Sequence, residues 1–147
     1  MGSILTPTTY RVTITEEHIV NNNMTKNTIV YDIPNVTNVD HRVLTCPATT
    51  SIDLFTIDDT IPGAGQFVSS SVKYARISNL DNTVNIAVTI SGSQGMFTQK
   101  LAPVSSMFLA GPEITSSFSA SFGDSIQKVM VYPIDGKADV EYVLINA

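Results

Sequence analysis

Apolar and polar residues alternate with a period of two along most of this chain, and that period belongs to half-buried strands rather than to helices. Tyr10, Val12 and Ile14 fall on one face, with Arg11, Thr13 and Thr15 on the other. Asn21-Asn22-Asn23 reads as a turn. A second, less cleanly amphipathic strand then carries Ile29, Tyr31 and Ile33 up to Pro34, whose missing N–H is expected to stop the pairing. A run from Arg42 to Cys46 ends at Pro47. Over residues 49–57 apolar side chains stand on both parities, Ile52 and Leu54 on one and Phe55 and Ile57 on the other, which predicts a strand buried on both sides.

Residues 72–78 and 84–90 read as a meander about the polar turn Asn79-Leu80-Asp81-Asn82-Thr83. The second of them gives the clearest alternation in the chain, Val84, Ile86, Val88 and Ile90 against Asn85, Ala87 and Thr89. Ser91-Gly92-Ser93-Gln94-Gly95 turns into a strand at 96–101, Pro103 breaks it, and 106–110 resumes before Gly111-Pro112. Residues 114–122 fit a helix by the spacing of Ile114, Phe118 and Phe122. Ser and Thr at alternate positions are poor helix-interior residues and favour a strand. Asp135-Gly136-Lys137, between 129–134 and 138–145, predicts a tight hairpin, since Asp-Gly supplies the positive φ that such turns need. The sum is nine or ten short strands with no long helix and no repeat. The expected fold is all-β, a single-domain antiparallel β-sandwich, jelly-roll-like, with an N-terminal arm at 1–8 and the sandwich domain at 9–147.

Composition sharpens this picture and removes several functions. Val, Ile and Thr far outnumber Leu and Ala, which favours pleated strands. Charged residues are 14% and the net charge is −5, so binding to nucleic acid or to an anionic membrane by charge neutralisation is not expected. One cysteine, Cys46, excludes an internal disulfide and, lying before Pro47 in apolar sequence, reads as a small buried hydrophobe. No secretory signal is legible in the first nine residues, and the chain is expected to be made in the cytoplasm. The sequons at Asn23 and Asn35 read as turn-rich polar sequence.

The chemistry-bearing residues are sparse. His18 and His41 lack a second ligand at metal spacing, and both read as solvated turn histidines. No G-x-S-x-G elbow and no phosphate-binding G-x-x-x-x-G-K-[ST] occurs, so neither an enzyme nor a cofactor or metal site is expected. Asp53, Asp58 and Asp59 do not follow a calcium-loop spacing. What the sequence does offer is surplus apolar surface. A sandwich strand needs one apolar face, yet Met130 and Tyr132 share a strand with Val129 and Val131, and Val143 and Ile145 share one with Val140, Tyr142 and Leu144. Together with Ile4 and Leu5 of the arm, Met130, Tyr132, Val143 and Ile145 form the candidate subunit interface of a homo-oligomer, with a trimer as the working guess. The competing reading is that loops or the arm cover them within one subunit.

The stretch Tyr74-Ala75-Arg76-Ile77-Ser78-Asn79-Leu80-Asp81-Asn82-Thr83, continued by residues 84–90, Phe97, Leu101-Ala102-Pro103 and Phe108-Leu109-Ala110-Gly111-Pro112, resembles small β-sandwich virion proteins of tailed bacteriophages. In those proteins an I-x-N-L turn feeds a strand, a hairpin and a proline corner before an aromatic strand. The corner that often reads Pro-Gly there is Pro103-Val104 here. The resemblance implies a capsid cement or decoration protein, located in the virion and partnered by the major capsid protein or another virion protein. It extends to a tail or head–tail component as an alternative. A carbohydrate- or receptor-binding module is the rival from another class and would use the loop at 58–65.

Overall fold

The computed structural model describes residues 8–58, 66–68, 72–92, 95–110 and 126–147, and these hold eleven strands and no helix. The chain divides into two compact units, Met1–Thr37 with Ala147, and Asn38–Asn146. The stretch 9–147 read from sequence as one sandwich domain spans both.

The first unit is a hairpin of β1 (Thr8–Val20) and β2 (Asn23–Val36), which pair antiparallel with each other as a two-stranded sheet. Val20 faces Asn23 across a two-residue loop, and both loop residues, Asn21 (φ 49°) and Asn22 (φ 66°), have left-handed backbone. That is the primed turn whose twist matches paired strands, and asparagine enters it at low cost. Pro34 does not stop the pairing as expected. Thr8 faces Val36 and Tyr10 faces Ile33, so Pro34 and Asn35 together oppose Thr9, and Asn35 (φ 58°) takes the left-handed backbone of this bulge. A bulge leaves a residue outside the ladder, and that is where a proline without an N–H fits.

The second unit is a β-sandwich. One sheet runs β5 (Gln66–Val68), β4 (Ile52–Asp58), β10 (Ile126–Pro133), β7 (Ile86–Gly92), β8 (Met96–Leu101); the other runs β3 (Asn38–Cys46), β11 (Ala138–Asn146), β6 (Val72–Asn79), β9 (Ser106–Ala110). Every pairing is antiparallel except the short β4–β5 pair. The core between the sheets joins Leu54, Phe55, Val88, Val129 and Val131 of one to Ala75, Ile77, Val140, Tyr142 and Leu144 of the other. Phe55 and Tyr142 meet across it with ring centroids 5.3 Å apart and tilted by 51°, a pair worth about 1 kcal/mol beyond its buried area.

Three expectations are corrected by this topology. β10 and β11 lie in different sheets, so Asp135-Gly136-Lys137 is a corner between sheets and not a tight hairpin. β6 and β7 are divided in the same way, and the expected meander becomes a second crossing. Asp-Gly marks a sharp reversal in either case; the course of the chain after the reversal depends on which sheet buries the next apolar face. Thirdly, β4 is not buried on both sides. Val129 faces Phe55 while Met130 faces Asp53, leaving Leu54 as an extra residue. The bulge switches parity, so Ile52, Leu54, Phe55 and Ile57 all join one core while Asp53 stays exposed. Residues 114–122 lie outside the described residues.

Candidate interaction surfaces

The register of the hairpin sorts its side chains into two unlike faces. Tyr10 opposite Ile33, Val12 opposite Tyr31 and Ile14 opposite Ile29 make three successive apolar cross-strand pairs on one face. They are only partly covered, Ile29 at 38% and Tyr31 at 42% exposure. The opposite face carries Arg11 opposite Asp32, Thr13 opposite Val30, Thr15 opposite Thr28 and Glu17 opposite Lys26. Arg11 Nε donates to Asp32 Oδ1 at 2.7 Å and Nη2 donates to Oδ2 at 3.1 Å, which holds the Asp32 carboxyl below the usual carboxylate range. Lys26 Nζ lies 3.4 Å from Glu17 Oε1. At the tip, Ile19 and Met24 are exposed together. A two-stranded sheet by itself is marginal in water, and Ile29 and Tyr31 are the most exposed apolar side chains of this short ladder.

A second surface is the outward face of the four-stranded sheet. Glu141 stands near its middle, accepting from His41 Nε2 at 3.0 Å and from Arg76 Nη2 at 2.5 Å. Arg76 also donates to Ser78 Oγ at 3.0 Å, and Ser78 bonds Ser106 Oγ at 2.7 Å, so the network spans all four strands. The His41 bond and the Arg76 charge keep the Glu141 carboxyl below its ordinary value. Around this network Val39 and Val43 of β3 and Phe108 of β9 are exposed on the same parity, as the register places them.

Of the residues read as an interface from sequence, Ile4 and Leu5 lie outside the described residues. Met130 is half-buried and Tyr132 is 38% exposed, both on the outward face of the five-stranded sheet. Val143 (6%) and Ile145 (0%) belong to the outward face of the other sheet and are already covered within the chain, so they offer nothing to a partner. The four therefore do not form one patch. Sequence alone assigns Tyr10, Val12 and Ile14 to a face of the sandwich and so misses the hairpin ladder. The signal for it is Asn21-Asn22, which commits the two strands to each other.

His18 and His41 lie on strands rather than in turns. Cys46 is fully buried, and burial first, then the Asp139 charge, pushes its thiol pKa up. Tyr142 donates its hydroxyl to Asp40 Oδ2 at 3.0 Å, and burial with that bond pushes its pKa up to about 12. Among the described residues no cluster of three His, Cys, Asp or Glu side chains is placed to hold a metal.

No family model matches the chain, and no curated protein matches it. Among solved structures it is similar to one described as "Bacillus endospore appendages form a novel family of disulfide-linked pili", at 8% identity and a TM-score of 0.48, over 99% of this chain and 95% of that one.

Proposed function

We propose that this chain is a structural virion protein, a capsid cement or decoration protein that reinforces a phage head through contacts between subunits. The observation that supports the assembly part is the hairpin of β1 and β2, a two-stranded sheet among the described residues, on which the half-exposed Ile29 and Tyr31 lie opposite the face of the Arg11–Asp32 pair. Such a surface gains free energy only when something covers it. The likeness of residues 74–112 to small virion sandwiches supports the location. The mechanism is adhesion: apolar area buried at each contact raises the work needed to separate the shell.

The test is co-sedimentation of the purified chain with heads of the phage that encodes it, stripped of this protein. Saturable binding at a fixed copy number, with a rise in the temperature at which the heads open, is the expected result. Heads that neither bind it nor gain resistance to heat would overturn the reading.

A further inference from the structure

The corner that carries the chain from β10 to β11 contains Asp135-Gly136, yet its backbone does not need a glycine. Neither residue is left-handed, and a Cβ built on Gly136 would rest 3.4 Å from Val84 Cγ2, at van der Waals contact. An alanine therefore fits. What the missing side chain leaves open is the approach of the Gly136 amide nitrogen to the Asp135 carboxyl. That amide bonds to no other described residue, and Asp135 is exposed. Asn85, just ahead of β7, grips the corner twice. Its side-chain nitrogen donates to Asp135 Oδ2 at 2.9 Å, and its backbone carbonyl accepts from Ile134 N at 2.9 Å. We infer that Asp135-Gly136 is a site of spontaneous covalent modification, the conversion of Asp135 to isoaspartate, and that Asn85 is the residue that restrains it.

The reaction needs no partner but water. The Gly136 amide nitrogen attacks Cγ of the Asp135 carboxylic acid: an N–Cγ bond forms, a Cγ–O bond breaks, and the amide proton leaves with the hydroxyl as water. The five-membered imide that results takes one water back. Opening at Cγ restores aspartate. Opening at the main-chain carbonyl leaves the backbone running through Cγ, one methylene longer, with the α-carboxylate as the side group. Mass and charge are unchanged, but the crossing between the two sheets is lengthened. Ring closure depends steeply on how the reacting atoms are held. It turns the carboxyl onto the main chain and expels one of its oxygens, so it competes directly with the bond from Asn85. The bond from Ile134 N to the Asn85 carbonyl opposes it too, by fixing the main chain that leads into the corner.

The full chain is held for weeks at physiological temperature and pH, native or in urea, and isoaspartate at 135 is counted by peptide mapping with electron-transfer fragmentation. Native wild type is expected to convert about tenfold more slowly than the chain in urea, and Asn85→Ala about tenfold faster than native wild type. In urea, where the Asn85 bond is absent, these two chains should convert at the same rate. Gly136→Ala should slow conversion in urea by about tenfold, because its Cβ crowds the attacking nitrogen. Glu141→Gln removes a different set of bonds and controls for easier opening of the whole sandwich; its native rate should stay close to wild type. Asn85→Ser replaces Asn85→Ala if the latter does not fold. Native wild type that converts as fast as the unfolded chain, an Asn85 variant no faster than wild type or matched by Glu141→Gln, or no isoaspartate at 135 even in urea would overturn the inference.

Discussion

The side-chain amide of Asn79 donates to the backbone carbonyl of Leu101 at 3.3 Å, joining two corners of the sandwich that lie far apart in sequence. The same nitrogen reaches the carbonyls of Ala102 (3.2 Å) and Val84 (2.8 Å), and Oδ1 accepts from the Asp81 amide at 3.1 Å. The two corners also bond directly, Asn79 N to Ser105 O and Val104 N to Asp81 O. Asn79 is fully buried, so its loss would leave a cavity and remove these bonds, the buried one to Leu101 among them. Asn79→Ala is expected to cost about 3 kcal/mol, read as a shift in the urea midpoint at constant slope.

Glu141 ties part of the acid stability to its carboxylate. Its pKa is held below the ordinary 4.5, first by the His41 bond. A carboxyl whose folded pKa is depressed contributes stability that is present above the unfolded pKa and is lost as pH falls through the folded one. Glu141→Gln should therefore be less stable than wild type at neutral pH. The difference should shrink steadily as pH falls below 4.5. Urea unfolding across that range checks it, and a gap that is independent of pH would contradict it.

Val104 adopts a left-handed backbone, φ 55°, at an exposed corner. A β-branched side chain is strained there, whereas glycine is not. Val104→Gly is expected to raise stability by about 1 kcal/mol despite the greater freedom it gives the unfolded chain. Thermal unfolding of the two proteins checks the sign.

Cys46 should behave as an inert core residue. Burial disfavours its thiolate, so in the native protein a thiol reagent is expected to react at least about 100-fold more slowly than in the urea-unfolded chain. The measurement is the rate of colour release with a disulfide reagent. Fast native labelling would show that the strand end at Cys46 opens readily.

The strands were legible in the sequence because one buried face imposes alternation, as in Ile86, Val88 and Ile90. Partners were less legible. Asp135-Gly136 and Asn79–Thr83 announce reversals, but a reversal inside one sheet and a step to the opposite sheet call for the same turn residues. Bulges at Leu54 and at Pro34-Asn35 were hidden because one extra residue imitates a change of face or a strand end. The interface is misplaced in sequence for a related reason. Val143 and Ile145 look surplus when each strand is read alone, although the folded chain covers both.

β10 and β11, last in chain order of the eleven strands among the described residues, sit in the interior of their sheets, β10 between β4 and β7 and β11 between β3 and β6. As the ribosome delivers the polypeptide, the earlier strands must wait with unpaired edges for partners that arrive late, His41 for a carboxylate 100 residues downstream. A nascent chain of this kind gains little by folding piecemeal, and its early edges stay open to wrong partners until β10 and β11 emerge.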